Sequence, residues 1–233
     1  MHIPDGFINA TTSLGAGAVT LGGLGVAVRR SAETLEDRQV PLAGLVAAFV
    51  FAAQMLNFPV AAGTSGHLIG GVLAAVLVGP WAGALCLAVV LIVQALFADG
   101  GLTALGLNVL NLAFAAGLGG YLLFLGMRKV LPKSRSSVVL SAGVASGLSV
   151  VLAALAFVVE YALGASVAVP IGTVAGAMVG VHLLIGIGEG IITAMTVSTV
   201  MSIRPDLVYG ARDLAPHTLR TSNPAAPAVE GLR

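Results

Sequence analysis

The sequence predicts an all-α, polytopic helical membrane protein with about seven transmembrane helices, the N-terminus outside and the C-terminus in the cytoplasm. Composition is the first observation behind this prediction: 9% of residues are charged, 58% are hydrophobic and the mean hydropathy is +1.02. About a quarter of a soluble globular chain is charged. The second observation is a series of long apolar stretches, and the third is the grouping of the basic residues between some of them.

Seven stretches are apolar enough to form membrane helices, which need about 20 mostly apolar residues. They cover residues 10–28, 41–57, 67–79, 80–98, 107–127, 138–161 and 172–203. The third stretch is short and is followed by Pro80 after Gly79, which predicts a short or partly re-entrant helix and a tight turn. The seventh is long and contains Gly186, Gly188 and Gly190, so a bend, a break or an eighth span is the alternative.

All eleven Lys and Arg residues fall in three segments of the chain. The segments lie between the first and second stretches, between the fifth and sixth, and after the seventh: Arg29, Arg30 and Arg38; Arg128, Lys129, Lys133 and Arg135; Arg204, Arg212, Arg220 and Arg233. Cytoplasmic flanks of membrane helices are enriched in basic residues. Seven spans with an outer N-terminus place all three segments in the cytoplasm, whereas an eighth span would move the last group outside.

The stretches are predicted to form a single membrane domain, residues 1–205, followed by a poorly ordered cytoplasmic tail, residues 206–233. No Lys or Arg precedes Ala10, unlike the start of a signal peptide, so Met1 is expected to be the mature terminus. The single cysteine, Cys86, excludes an intrachain disulfide and a thiolate metal cluster.

A candidate metal site is formed by the chain start, residues 1–9, together with a histidine after the second stretch. The free amine of Met1, the backbone nitrogen of His2 and the His2 imidazole can close two fused chelate rings around one ion. The His67 imidazole would complete a square of nitrogen donors, which suits Ni²⁺ or Cu²⁺ rather than structural Zn²⁺, Mg²⁺ or Ca²⁺. An amide that binds metal loses its proton, so binding should release protons. Spacing alone leaves an alternative, in which the histidine at position 2 has no role in metal binding.

Four blocks of the sequence then carry a family resemblance: MHIPDGFIN, AAQMLNFPVAAGTSGHLIGG, LVGPWAGAL and LFADGGLTALGLNVLN. They resemble hallmark segments of the substrate-binding membrane component of energy-coupling-factor transporters for cobalt and nickel. The resemblance covers roughly residues 1–120, and the later spans agree only in layout. It implies a seven-span protein whose metal ligands are the amine of Met1, the amide and imidazole of His2, and the imidazole of His67.

The resemblance also implies that two outer loops, residues 57–67 and 98–107, pack over the metal site. Polar residues in and next to these loops could support the ligands by hydrogen bonds, or could equally cap helices and fix turns: Thr64, Ser65, Asp99 and Asn108. Asp5 has the same two interpretations, as a hydrogen-bond partner of a ligating histidine or as a turn residue.

The implied function is high-affinity capture and uptake of Co²⁺ or Ni²⁺ at a prokaryotic plasma membrane, with the ion as substrate and no cofactor. The implied partners are a membrane coupling subunit, cytoplasmic ATPase subunits and often a small accessory membrane subunit, with the lipid bilayer around them and no nucleic acid. The sequence contains no GxxxxGK[ST] loop, so ATP hydrolysis is expected on a partner and the chain is not expected to be an enzyme. Cobalt and nickel remain alternatives because both accept nitrogen ligands.

A second function class is an intramembrane serine protease, because GTSG at residues 63–66 fits a GxSG pattern. Ser65 would be the nucleophile and His182 its base, since a base within hydrogen-bond reach is required. His182 has a simpler interpretation as a membrane-buried residue hydrogen-bonded to a neighbouring helix, although ionisable groups inside membranes are functional candidates. The protease hypothesis leaves the MHIPDG start unexplained.

Overall fold

A computed structural model describes residues 1–60 and 64–214, apart from the side chain of Arg38. Within these residues the helices of eight or more residues are α1 (Ala10–Thr34), α2 (Val40–Gln54), α3 (Gly71–Val78), α4 (Pro80–Leu96), α5 (Leu105–Val130), α6 (Arg135–Gly164) and α7 (Ile171–Ile203). Two short antiparallel strands, β1 (Phe58–Pro59) and β2 (Ser65–Gly66), pair between α2 and α3. Three short 3₁₀ turns cover Asp37–Gln39, Pro205–Leu207 and Tyr209–Leu214. The predicted all-α class is confirmed.

Four of the helices, α1, α5, α6 and α7, are long and apolar enough to cross a membrane. α2 and α4 are apolar but have only 15 and 17 residues, and α3 has 8. Large apolar side chains are exposed along the long helices, among them Leu14 at 75% and Leu184 at 72%. Such exposed apolar surface suits contact with lipid. The count of seven spans and the orientation of the termini stay predictions.

The central element is α3, whose eight residues are all buried. Because the other helices enclose α3, its sequence is apolar on every side. The apolar stretch was predicted to begin at residue 67, but residues 67–70 are not helical and the helix begins at Gly71. It ends at Gly79, whose φ of +96° favours glycine, and Pro80 then opens α4 where no N–H is needed. The predicted tight turn is confirmed.

The last helix, α7, is continuous despite its glycines, so the predicted alternative of a break is not found. The glycines serve close packing on α6 instead. A Cβ on Gly186 would lie 2.6 Å from the Gly147 carbonyl oxygen, and one on Gly190 would lie 2.8 Å from the Gly143 carbonyl oxygen. Small residues allow this backbone approach between membrane helices. The middle of α5, Leu110–Gly119, is π-helical.

The bundle has two distinct ends. One, here called the site end, carries residues 1–9, the β1–β2 pair and the segments that follow α4 and α6. The other, called the basic end, gathers the predicted cytoplasmic segments. Arg128 is 2.8 Å from Asp213, and Arg135 donates a hydrogen bond to the Met201 carbonyl.

Residues 206–214, predicted as the start of a poorly ordered tail, instead fold back against the basic end. A Cβ on Gly79 would meet the Tyr209 ring at 3.0 Å, and a Cβ on Gly210 would meet the Phe124 ring at the same distance. The segment therefore closes the bundle beneath the short α3. The rest of the predicted tail, residues 215–233, lies outside the described residues.

Candidate metal-binding site

Residues 1–9 form an extended segment that docks across the site end. The Ile3 N–H donates to Asn108 Oδ1 at 2.8 Å, and the Ile3 carbonyl accepts from Asn108 Nδ2 at 3.2 Å and from the Gly101 N–H at 2.8 Å. Ile3 is 0% exposed and Phe7 is 2% exposed. Main-chain hydrogen bonds and apolar burial together hold the chain start in place.

A turn and a second anchor follow Ile3. The Phe7 N–H bonds the Pro4 carbonyl at 3.3 Å across Gly6, whose φ is +73°. The chain therefore turns sharply at this point, and glycine tolerates the positive φ that the turn requires. Asn9 then donates its N–H to the Gly164 carbonyl at 2.7 Å, which joins the segment to the end of α6.

Asp5 supports the loop between α4 and α5 rather than a histidine. Its Oδ1 accepts from the Thr103 N–H at 2.7 Å and from the Thr103 hydroxyl at 2.5 Å, and these hydrogen bonds lower the pKa of Asp5. The histidine contact is made by Asp99 instead, whose Oδ1 is 3.1 Å from His2 Nδ1. That hydrogen bond is the main reason why the pKa of Asp99 is lowered.

His2 and His67 stack on one another, with ring centroids 4.3 Å apart and an angle of 27° between the planes. His67 Nδ1 lies 2.7 Å from the Leu68 carbonyl oxygen, which can only accept, so Nδ1 carries the proton and Nε2 has the free lone pair. His67 is 0% exposed, and among the described residues its Nε2 has no hydrogen-bond partner. A buried nitrogen without a partner is rare in folded proteins and suits a ligand position.

Burial keeps the nitrogen donors of this site neutral. Desolvation lowers the pKa of the Met1 amine well below 8.0, although the charges of Asp99 and Glu189 oppose this. Desolvation also lowers the pKa of His2, and it lowers that of His67 well below 6.5, helped by the charges of the amine and of His2. Neutral amine and imidazole nitrogens offer the lone pairs that a metal ion needs.

The structure thus brings together all three residues predicted as ligands, Met1, His2 and His67, in one buried place. Within residues 1–60 and 64–214, no group of three or more His, Cys, Asp or Glu side chains could hold a metal ion. The fused chelate needs His2 Nδ1, which faces Asp99 here, so chelation would replace that contact.

The other predicted supporting residues have mixed outcomes. Ser65 Oγ lies 3.5 Å from the His2 backbone nitrogen, and Asn108 holds Ile3, so both act on the chain start. Thr64 is buried, and its hydroxyl is 3.8 Å from Met178 Sδ. Asn108 thus contacts Ile3 and Asp99 contacts His2, so both hold the residues of the chain start.

Three polar residues of the site were not predicted from the sequence: Gln54, Gln94 and Glu189. All are buried, and Gln94 Oε1 lies 3.2 Å from His2 Nε2. Gln54 and Glu189 hold the backbone just after His67. The signal that could have found them is a single polar residue inside an otherwise apolar stretch. Burying such a residue in a membrane costs free energy, so its presence indicates a role.

The protease hypothesis finds no support in this geometry. His182 Nδ1 bonds the Met178 carbonyl of its own helix at 2.7 Å, and its Nε2 has no hydrogen-bond partner among the described residues. Ser65 and His182 therefore do not form the pair that an activated serine requires. The simpler expectation, a bond from His182 to a neighbouring helix, is also wrong.

Comparison with known proteins points to metal transport. The family model CbiM, described as a cobalt uptake substrate-specific transmembrane region, matches residues 2–207. The chain belongs to the CbiM family. This confirms the resemblance that the four sequence blocks carry, and it makes the chain a component of a cobalt or nickel uptake system.

Individual relatives of this CbiM-family chain agree along most of its length. A metal transport protein of Haloquadratum walsbyi is 41% identical over 90% of this chain and 94% of the relative. A fused nickel transport protein of Archaeoglobus fulgidus, NikMN, is 39% identical over 89% of this chain and 68% of the relative. The crystal structure of a transition metal transporter superposes with a TM-score of 0.81 at 32% identity, covering 87% of this chain and 93% of that one.

Proposed function

We propose that this CbiM-family protein captures Co²⁺ or Ni²⁺ with high affinity on the outer side of a prokaryotic plasma membrane, as the substrate-binding subunit of an ATP-driven energy-coupling-factor transporter. The observation that carries the proposal is the convergence of Met1, His2 and His67 in one buried, neutral site. The unpartnered Nε2 of His67 is the sharpest part of that observation.

The proposed ligands are four nitrogens: the Met1 amine, the His2 backbone nitrogen, His2 Nδ1 and His67 Nε2. The first three are linked covalently, so little entropy is lost when they converge on one ion. Loss of the His2 amide proton adds a negative charge that offsets part of the charge of the ion. Four nitrogens in a plane favour Ni²⁺ and are also compatible with Co²⁺.

Release of the ion is proposed to follow from undocking of residues 1–9. Three of the four donors belong to Met1 and His2, and Asn108 and Gly101 hold the next residue, Ile3. A movement that separates Ile3 from Asn108 would therefore carry these three linked donors away from His67 and leave the ion without its fourth ligand. The energy for this step is assigned to partner proteins, a membrane coupling subunit with cytoplasmic ATPases and a small accessory membrane subunit, because the chain has no GxxxxGK[ST] loop.

The decisive experiment changes only the position of the terminal amine. One residue added ahead of Met1 turns its amine into an amide and moves the free amine out of the chelate. We expect high-affinity binding of Ni²⁺ and Co²⁺ to be lost in calorimetry while the helical bundle remains folded, as measured by circular dichroism. A chain with one residue added at its C-terminus is the control.

Mass spectrometry of the native protein checks the premise, which is a free amine on Met1. Acetylation of that amine should have the same effect as the added residue. Normal metal uptake by the N-terminally extended chain, or a mature chain that begins after Met1, would show that the assignment is wrong. Neighbouring genes for cobalamin synthesis would favour cobalt as the ion, and urease or hydrogenase genes would favour nickel.

A further inference from the structure

Glu189 places a carboxylate inside the bundle, on α7, directly behind the loop that carries His67. The side chain is only 2% exposed. Its Oε2 accepts a hydrogen bond from the Ile69 N–H at 2.6 Å, and its Oε1 accepts from the Gly70 N–H at 2.9 Å and from the Ser146 hydroxyl at 3.2 Å. Both oxygens are therefore used, and two of their three donors are consecutive backbone groups.

These two backbone groups belong to the non-helical stretch between His67 and α3. The first N–H groups of a helix, and those just before it, have no partner inside the helix. Gln54 completes the clamp, because its Nε2 donates to the Ile69 carbonyl at 2.7 Å. α2 thus holds the carbonyl of Ile69 and α7 holds its N–H, two residues after His67.

We propose that Glu189 is a positioning residue for the metal site: its carboxylate holds residues 69 and 70 so that His67 presents Nε2 to the ion. This inference rests on the proposed function, because it matters for binding only if His67 is a ligand. The Ser146 hydroxyl, which also lies 2.9 Å from the Thr193 hydroxyl, steadies the carboxylate from α6. The position of one ligand is therefore set by the packing of α6 against α7.

A carboxylate suits this role better than an amide of the same shape. Two acceptor oxygens match two adjacent N–H donors, whereas glutamine offers one oxygen and an NH₂ group that would face a donor. Glu189→Gln therefore leaves a buried N–H without an acceptor, or moves the stretch away from α7. Loss of groups that orient metal ligands weakens binding by about tenfold to a hundredfold.

The experiment uses the full chain with its native N-terminus, purified in detergent, and Ni²⁺ alone as the probe. Dissociation constants come from calorimetry and ligand identity from the visible absorption spectrum of the bound ion. We expect Glu189→Gln to bind at least about tenfold more weakly and to give the spectrum of His67→Ala. The double variant should bind no more weakly than His67→Ala alone, because both changes remove the same ligand. Ser149→Ala, which removes a buried hydroxyl from α6 that among the described residues bonds only the Ser146 carbonyl of the same helix, is the matched control and should remain near wild type.

The outcomes separate this inference from the proposed function. Wild-type binding by His67→Ala would overturn the proposed site itself. Weak binding by His67→Ala with wild-type binding by Glu189→Gln would overturn the role of Glu189 alone. Weak binding by Glu189→Gln with an unchanged spectrum, or with additive losses in the double variant, would assign Glu189 a general structural role. If Glu189→Gln fails to fold, Glu189→Asp carries the test, since its shorter carboxylate should give a smaller loss of the same kind, and wild-type affinity there counts against the proposal.

Discussion

The two ends of the bundle handle polar groups in opposite ways. At the site end, the Met1 amine and His67 are fully buried, and His67 Nε2 has no partner among the described residues. At the basic end, charges are paired with one another: Arg204 lies 2.8 Å from Asp206, with side chains 57% and 43% exposed, and the less exposed Arg128 lies 2.8 Å from Asp213.

This difference indicates that the polar groups of the site end are available to bind a ligand, whereas those of the basic end are already paired. Exposed ion pairs contribute little to stability because water already solvates both charges. An unpartnered buried nitrogen, in contrast, costs free energy until something binds it. We infer that the basic end is held by packing, as in the contact of Tyr209 with Gly79, while the site end keeps part of its bonding capacity for a ligand.

The largest expected effect concerns the sides of the membrane that the two ends face. A cysteine introduced at Thr103, at the site end, should react with an impermeant thiol reagent added to intact cells. One introduced at Ser136, at the basic end, should react only after the cells are opened. Both positions are exposed in the structure, and Cys86→Ser provides a background without the native thiol. The reverse labelling would break the model of seven spans with an outer N-terminus.

A second effect follows from the neutral state of the site end. The pKa values of the Met1 amine, His2 and His67 are all lowered by burial, which favours the neutral form of each group near pH 7. The remaining proton is that of the His2 amide, and Ni²⁺ binding should release about one proton per ion. Affinity should then rise about tenfold per pH unit between about pH 7 and pH 8. Calorimetry in buffers of different ionisation enthalpy measures the count, and a release of two or more protons would mean that the apo site is charged.

A smaller effect should distinguish buried from exposed anchors of the chain start. Asn108→Ala removes the acceptor of the buried Ile3 N–H, and an unsatisfied buried donor costs about 1–3 kcal/mol. We expect metal affinity to fall at least about fivefold, since docking and binding are coupled. Thr103→Val removes only a hydroxyl bond to the exposed Asp5 and should change affinity less than about twofold. Equal effects of the two variants in calorimetry would contradict the contrast between them.

The helical class, the seven apolar stretches and the three candidate ligands could be predicted from the sequence, because these predictions depend on local composition and on short motifs. The turn at Gly79 and Pro80 was predictable for the same reason, since a restricted proline after a flexible glycine defines a helix boundary. The family of the chain could also be identified from contiguous blocks of sequence.

The remaining features depend on contacts between residues distant in the chain. Glu189 is 119 and 120 residues from the backbone groups that it holds, so no local pattern links it to His67. The glycines of α7 are consistent with a break or with close packing, and only the presence of Gly143 and Gly147 on α6 decides between them. Asp5 and Asp99 are equally plausible partners for His2 in the sequence, and the path of the loop after α4 decides for Asp99.

The docking of residues 1–9 has a consequence for the order in which the protein is made. Their partners lie at Gly101, Asn108 and Gly164, so residues 1–9 are synthesised long before the groups that hold them. At about 5–20 residues per second, on the order of ten seconds or more pass before the end of α6 is synthesised. During that interval residues 1–9 have none of these anchors, because the hydrogen-bond partners that hold them have not all been made. Docking of this segment therefore depends on the prior synthesis of most of the bundle.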